Sequence, residues 1–282
     1  MPHLPIAGLH LDPPVRQAWR TIATRAGLVL DVVHVRETAS GPPLVPRRIP
    51  GGWALSYADG CEYRVTSRAD RVLIELPELD TSSERTLRLA GPVTAMVMSC
   101  CRFFPLHAAG FRLAEGIAAV FAPPGGGKST LAAIAAGQGT DIAGDDLLAL
   151  NHTAEILPLE GSLRIAVSDA PAGWHPAFIL PDGRGWYTLP EPPPGSRINS
   201  LVLLTRATAL TLEPVKGHRR LSVLFAAGFL TRFDPAPDEQ WHDLMLDLTA
   251  SVPVWELKVP EGLPRLRESW PEIRKLLGES CG

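Results

Sequence analysis

Cysteine is scarce in this chain, and its spacing excludes a cysteine-based metal or redox site. The 282 residues include four cysteines, Cys61, Cys100, Cys101 and Cys281, with no C-x-x-C pair and no Cys/His cluster. Cys100 and Cys101 are neighbours inside a predicted helix, where packed thiols are favoured over a disulfide. We therefore expect the protein in a reducing compartment, the cytoplasm.

Features of membrane, secreted and nucleic-acid-binding proteins are missing as well. The N-terminus has no basic segment followed by an apolar core, so we expect no signal peptide. The longest apolar stretch, 92–111, is interrupted by Arg102, Pro105 and His107, which excludes a membrane span there. The net charge of −3 and the pI near 6.2 indicate no basic surface for nucleic acid. We expect neither a membrane nor a nucleic acid among the partners.

The composition that remains is that of a globular protein with many loops. Hydrophobic residues make up 45% of the chain, enough to bury a sizeable core, and the length suits one large or two small domains. Proline is frequent, with 28 residues, which favours ordered loops over long helices.

The chain is organised around a glycine-rich loop at 122–130, with the sequence Ala-Pro-Pro-Gly-Gly-Gly-Lys-Ser-Thr. The apolar run 117–121 before it predicts a buried strand, and 131–136 after it predicts a helix that stops at Gly137. Strand, glycine-rich turn, Gly-Lys-Ser and helix together form the phosphate-binding loop arrangement. The alternative is a turn that carries Gly-Lys-Ser by chance, and the flanking strand and helix argue against it.

Each part of this loop suits a nucleoside triphosphate such as ATP. Glycines let backbone N–H groups turn inward around the phosphates, and the helix N-terminus adds its unpaired N–H groups. Lys128 would reach the β- and γ-phosphates, and the Ser129 hydroxyl would ligate Mg²⁺. The predicted nucleotide-binding residues are Pro124, Gly125, Gly126, Gly127, Lys128, Ser129 and Thr130. The loop departs from the usual pattern at its first position, where Ala122 replaces glycine.

Two adjacent aspartates follow the predicted helix. Residues 140–143 predict a short strand, so Asp145 and Asp146 would stand at its carboxyl end, where α/β sheets bind ligands. Transfer of a phosphoryl group to a hydroxyl needs a carboxylate near the nucleophile, and Mg²⁺ needs a carboxylate in or near its shell. Neighbouring aspartates can divide these tasks because adjacent side chains of a strand point to opposite sides. A solvated turn or a helix cap is the alternative.

His107 is a further candidate. It lies on a predicted strand, 106–113, that pairs with the strand before the glycine-rich loop. It would approach the phosphates there, and a buried core histidine is the alternative. Arg164, Arg184 and Arg197 are candidate phosphate or acceptor contacts, and solvated surface arginines are the alternative. Arg184 is favoured because its aromatic-rich loop could close on a substrate.

The remaining patterns predict a small, mostly antiparallel β subdomain before the nucleotide-binding part. We expect an α+β subdomain over 1–90 and a kinase domain over 91–282. The first contains a helix at 15–26, strands at 28–35, 53–57, 62–67 and 71–76, and a loop at 41–52. The second contains helices at 93–104, begun by Pro92, and at 223–233, 237–252 and 263–277, the last interrupted near Pro271. Its further strands are 147–151, a hairpin of 156–159 with 163–167, and 198–205, 210–214 and 254–259, with a loop at 171–195.

These motifs in this order resemble the HPr kinase/phosphorylase family. The resemblance rests on Leu106-His107-Ala108, then on 122–130, then on 139–146. It implies an α/β fold with a mixed sheet, namely a P-loop kinase core of the type shared with phosphoenolpyruvate carboxykinases. It also implies ATP-dependent phosphorylation of a serine on a protein. One aspartate would be the general base, and Asp145 is favoured for that role. Asp146 and Ser129 would hold Mg²⁺, and His107 and Lys128 would lie near the phosphates.

The downstream glycine-rich stretch tied to phosphorylase activity in that family is missing. The chain is therefore more similar to shorter HPr-kinase-like proteins, some of which accompany genes for ribosomally made peptides. In the lasso-peptide group they phosphorylate a serine at the C-terminus of the precursor. The resemblance thus implies a partner that is a peptide or small protein with an acceptor serine. A small-molecule kinase, a nucleotide-gated regulatory protein without transfer activity, and a homo-oligomer all stay open.

Overall fold

A computed structural model describes residues 13–35, 45–68, 71–77, 83–159, 161–180, 182–190, 192–229 and 239–282. The protein is a mixed α/β structure, and its described strands form sheets of five, two, three and six strands. Within these ranges, no helix is both long enough and apolar enough to span a membrane.

The N-terminal part is one helix on a five-stranded sheet. Its elements are α1 (Pro13–Ala26), β1 (Val29–Val35), β2 (Val45–Ile49), β3 (Gly52–Ser56), β4 (Glu62–Arg68) and β5 (Arg71–Pro77). The order is β1-β5-β4-β3-β2, and β1 runs parallel to β5 while the other pairs are antiparallel. The predicted helix, strands and mostly antiparallel sheet are confirmed.

The predicted loop at 41–52 is wrong where β2 lies, and its residues 41–44 are outside the described residues. Four prolines and two arginines in 41–52 suggested a loop, but Arg47 pairs across the sheet with the buried carboxylate of Glu62. The charges of β2 therefore belong to an edge strand with one face toward solvent.

Two short helices lead into the second part with a wide turn between them. They are α2 (Ser83–Arg88) and α3 (Thr94–Cys100), joined by a π-helical turn over Leu89–Val93. Pro92 lies inside this turn, so its predicted place at a helix start is wrong, and the helix ends before 104. Proline has no N–H for a regular helical hydrogen bond, and the helix departs from α geometry where Pro92 lies.

A six-stranded mixed sheet holds the centre, in the order β15-β16-β14-β8-β7-β9. The elements between residues 104 and 150 are β6 (Phe104–Leu106), β7 (Ala109–Leu113), β8 (Gly116–Phe121), α4 (Lys128–Gly137), β9 (Ile142–Gly144) and β10 (Leu148–Leu150). Of these strands, β6 and β10 pair with each other in a separate two-stranded sheet. β7 pairs antiparallel with both β8 and β9, so β8 and β9 run in one direction. The hairpin before the glycine-rich loop and the position of the aspartates after the next strand are confirmed.

The predicted continuous strand 106–113 is wrong, because β6 and β7 join different sheets. The chain breaks between them at His107 and Ala108, where the His107 N–H donates to the Ala227 carbonyl at 2.7 Å. His107 therefore lies in a strand break and not on a strand.

The rest of the chain adds a three-stranded sheet, β11-β13-β12, and completes the central one. The elements are β11 (Gly161–Ala166), a 3-10 turn (Val167–Asp169), β12 (Phe178–Ile179), β13 (Arg184–Leu189), β14 (Ile198–Arg206), β15 (Thr211–Pro214), α5 (Arg219–Ala227), α6 (Glu239–Ser251), β16 (Val254–Val259), α7 (Leu263–Glu268) and α8 (Trp270–Cys281). The predicted strands 198–205, 210–214 and 254–259 and the break near Pro271 are confirmed. The predicted helix at 237–252 is confirmed over the described residues 239–251, and 237–238 lie outside them.

Three predictions in this part need correction. The hairpin of 156–159 with 163–167 is wrong, because β11 pairs with β13 while Ile156 bridges Leu150. The loop at 171–195 contains β12 and β13, which bury Trp186 and Tyr187. The helix predicted at 223–233 begins at Arg219 and ends at Ala227, and 230–238 lie outside the described residues.

Two hydrophobic clusters lie on the faces of the central sheet. One packs α4 and α8 against it, with Phe111, Leu131 and Trp270 fully buried. The other runs from α1 and the N-terminal sheet to α5 and α6, and the indole N–H of Trp19 donates to Thr94 Oγ1 at 3.0 Å within it. The division at residue 90 stays a prediction, and hydrophobic packing continues across it.

Candidate functional site

The glycine-rich loop makes a tight turn between β8 and α4. Gly126 N–H donates to the Pro123 carbonyl at 2.8 Å, and Gly125 and Gly127 have φ values of +77° and +92°. Gly127 is the N-cap of the ten-residue helix α4. A Cβ on Gly126 would lie 2.7 Å from the Cβ of Ala122, so the methyl at the unusual first position needs glycine opposite it. The loop thus ends at a helix N-terminus with backbone N–H groups available for an anion.

Lys128 connects this loop to the two aspartates. Its side chain is buried, and Nζ donates to Oδ1 of Asp145 and, at 2.8 Å, to Oδ1 of Asp146. The β9 strand brings the aspartates here because its carboxyl end lies beside the loop that follows β8. A buried ammonium needs such carboxylate partners, since an unpaired buried charge is strongly destabilising.

Asp146 is the hub of the cluster. Its carboxylate accepts hydrogen bonds from Lys128 and, through Oδ2, from Arg164. His107 Nδ1 lies 3.0 Å from the Asp146 carbonyl oxygen, and its Nε2 lies 3.9 Å from Asp146 Oδ1. Asp146 has a φ of +67°, a left-handed conformation that is uncommon for a residue other than glycine and recurs at functional sites.

The two aspartates differ in access to solvent. The Asp145 side chain is 0% exposed, whereas that of Asp146 is 18% exposed. Asp145 Oδ2 is buried and accepts no hydrogen bond from any described residue. Asp145 therefore holds Lys128 from inside, and Asp146 is the carboxylate that a bound molecule can reach.

Arg164 extends the site onto the three-stranded sheet. It pairs in register with Trp186, its guanidinium lies 5.9 Å from that ring, and Trp186 stacks on Phe178 at 5.3 Å. Burial lowers the pKa of the Arg164 guanidinium, and the nearby Asp145 carboxylate opposes that shift. Sequence alone ranked Arg164 below Arg184, because the spacing does not reveal that β11 crosses beside Asp146.

The other two arginine candidates lie elsewhere. Arg184 stands on β13, not in a loop, and its Nε bonds the exposed Asp182 at 2.7 Å. Arg197 is exposed and precedes β14, at the end of that strand away from the glycine-rich loop.

Arg206 is the residue that sequence reasoning missed. It ends β14, which pairs in parallel with β8 up to Leu203 and Phe121, so the carboxyl ends of both strands meet. A Cβ on Gly127 would overlap Arg206 Nη2 and lie 3.2 Å from its Cζ. The signal for Arg206 in the sequence was a basic residue directly after the apolar run 198–205.

The predicted nucleotide-binding residues and the aspartates, His107 and Lys128 come together at one edge of the central sheet. Ser129 and Thr130 are half-buried in the first turn of α4, and Pro124 is exposed on the loop. The glycine turn and the helix N-terminus fit a polyphosphate. Across the described ranges, no three His, Cys, Asp or Glu side chains are grouped to hold a metal. The Ser129 hydroxyl and a carboxylate fit Mg²⁺ nonetheless, because Mg²⁺ is usually bound by one or two carboxylates, substrate phosphates and water.

No protein-family model matches the chain, and no curated protein matches it.

Proposed function

We propose that this protein is a kinase that transfers the γ-phosphoryl group of ATP to a serine hydroxyl of a peptide or small protein. The observation that carries the proposal is the contact of Lys128, at the helix N-terminus after a glycine-rich loop, with Asp145 and Asp146. A phosphate cradle beside a carboxylate that a hydroxyl can reach is the combination that phosphoryl transfer needs. We further propose a P-loop kinase core of the HPr kinase/phosphoenolpyruvate carboxykinase type and a cytoplasmic location.

The chain's own residues divide the work as follows. The N–H groups of 127–129, at the N-terminus of α4, would bind the phosphates, and the Lys128 ammonium would turn from the aspartates to the β- and γ-phosphates. Ser129 would hold Mg²⁺ together with phosphate oxygens and water, and Mg²⁺ when bound neutralises phosphate charge. The dipole of α4 adds to the attraction for the phosphates.

Asp146 is the proposed general base, although the sequence alone favoured Asp145. A base must touch the acceptor, and only Asp146 of the two is exposed to solvent. The serine O–H gives its proton to the Asp146 carboxylate as its oxygen bonds to the γ-phosphorus. The bond from that phosphorus to the β,γ-bridging oxygen breaks, ADP leaves, and the proton passes to solvent. His107 positions Asp146 through the contact between its ring and the Asp146 carbonyl oxygen.

The three-stranded sheet favours a peptide acceptor over a metabolite. Phe178, Trp186 and Arg164 form one cross-strand row that ends at Asp146, and Ile179 on the edge strand β12 is 53% exposed. An acceptor segment that lies along this row, from Phe178 toward Arg164, would place its serine near the carboxylate. A small-molecule kinase would not need this surface.

The test is incubation with γ-labelled ATP and serine-containing peptides, with mass spectrometry of the intact acceptor. Lys128→Ala should abolish transfer, and Lys275→Ala, at an exposed position of α8, is the matched control. Phosphate on a peptide serine supports the proposal. Faster transfer to free serine or small alcohols would favour a metabolite kinase, and ATP binding without transfer to any acceptor would favour the regulatory alternative.

A further inference from the structure

The glycine-rich loop is contacted by a cation from outside its own strand and helix. The Arg206 guanidinium lies against Gly127, so closely that a Cβ at position 127 would overlap its Nη2. Gly127 is also the N-cap of α4, where the first unpaired N–H groups begin. Arg206 therefore stands at the place where phosphate oxygens would be bound.

The sheet fixes this position. Val202 and Leu204 are buried in the cluster that packs β14 against α4, and Arg206 follows on the same face of the strand, two residues further. Its Nη1 donates to the Pro260 carbonyl at 3.2 Å after β16. A hydrogen bond to the main chain after the neighbouring strand thus orients the guanidinium.

Arg206 differs from the other basic residues of the site in its ion pairing. Lys128 contacts two carboxylates and Arg164 contacts one, whereas no carboxylate within the described ranges forms an ion pair with Arg206. The side chain is also exposed. An anchored, exposed guanidinium without a carboxylate partner is well suited to phosphate oxygens, which it can bind through two N–H groups.

We propose that Arg206 is a catalytic residue that contacts the γ-phosphoryl group while it is transferred, as an arginine finger supplied by the same chain. Negative charge on the equatorial oxygens of that group is what such a residue stabilises. This inference rests on the proposed phosphoryl transfer, but it concerns the nucleotide side of the site and does not depend on the acceptor.

The experiment compares two nucleotide states by calorimetry in Mg²⁺ without any acceptor: ADP alone, and ADP with aluminium fluoride, which mimics the transferring phosphoryl group. The parent should bind the second state more tightly. Arg206→Gln should bind ADP alone with an affinity within about threefold of the parent's. Its affinity for ADP with aluminium fluoride should be lower than the parent's by roughly 30-fold or more. Arg197→Gln, the same change at the other end of β14, should behave like the parent.

Two further measurements separate a chemical role from a structural one. Guanidinium ion at millimolar concentration should restore part of the lost tightening to Arg206→Ala, and Arg206→Lys should retain part of it. Full tightening in Arg206→Gln, an equal loss of affinity for both states, or a parent that gains nothing from aluminium fluoride would each overturn the proposal. If aluminium fluoride tightens ADP binding as expected but no peptide is phosphorylated, the result would count against the proposed acceptor and not against the role of Arg206.

Discussion

The His107 ring lies 3.0 Å, through Nδ1, from the carbonyl oxygen of Asp146, the residue with the left-handed backbone. The contact is to the main chain, so it fixes the peptide that directs the Asp146 carboxylate. His107 is itself held by the Ala227 carbonyl and lies 5.7 Å from the Phe229 ring. The end of α5 therefore determines where the proposed base points.

Removing this contact should slow transfer without weakening nucleotide binding. His107→Ala should lower kcat by about ten- to a hundredfold, because a base displaced by about 1 Å loses that much, while ADP affinity stays within a few fold. His107→Asn, whose side-chain amide can still donate to the carbonyl, should recover part of the loss. Equal rates for His107→Ala and the parent would show that the ring does not position Asp146.

Asparagine substitutions should separate the two aspartates. Asp146→Asn keeps the shape and removes the base, so transfer should fall by about 10²–10⁴ with similar ATP affinity. Asp145→Asn should instead weaken nucleotide affinity in Mg²⁺, since it alters the partner of Lys128. Single-turnover transfer and calorimetry measure both quantities. The opposite pattern would return the base to Asp145, and two variants with parental rates would exclude both.

The pair Ala122 and Gly126 offers a test of the loop backbone. Gly126→Ala should weaken ATP binding, because the new methyl would lie 2.7 Å from the Ala122 Cβ and 2.9 Å from the Pro123 carbonyl oxygen. Adding Ala122→Gly removes the first of these clashes and should restore part of the affinity. Ala122→Gly alone is the control. No rescue in the double variant would mean that the carbonyl contact dominates.

Glu62 predicts a pH-dependent contribution to stability far from the site. Burial raises the pKa of Glu62, but hydrogen bonds from Arg64, Ser56 and Arg47 outweigh it and lower the pKa from 4.5 to about 2. A depressed pKa stabilises the fold above pH 4.5, and this stability is lost as the pH falls toward 2.

Glu62→Gln should therefore cost about 1–3 kcal/mol at pH 7, and the difference from the parent should shrink below pH 4.5. Urea unfolding at several pH values measures it. Glu75→Gln is the control, because its contact with Arg64 is long, at 3.4 Å, and the change should have little effect. A cost for Glu62→Gln that does not vary with pH would contradict the ion-pair explanation.

Local patterns predicted those parts of the fold and site in which neighbours in sequence are neighbours in space. The glycine-rich loop, its flanking strand and helix, and the aspartates after β9 all follow from short-range periodicity and turn chemistry. The contact of Lys128 with the aspartates was not predicted, because the sequence placed Lys128 at the phosphates alone.

Long-range strand pairing decided the rest. The partner of β11 is β13, and not the nearer run at 156–159, because the buried Trp186 and Tyr187 lie on β13. The positions of Arg164 and Arg206 depend on such pairings, which the spacing along one chain does not encode. For the same reason, His107 was expected on a strand, although its neighbours join two different sheets.

The hydrophobic cluster that crosses residue 90 has a consequence for evolution and engineering. Trp19 and Thr94 share a buried hydrogen bond within one core. The N-terminal helix and sheet therefore cannot be replaced by another domain without disturbing that core. Deleting them would expose the apolar surface of α3 to water. A substitution in the core on one side of residue 90 must therefore be accommodated by the packing on the other side.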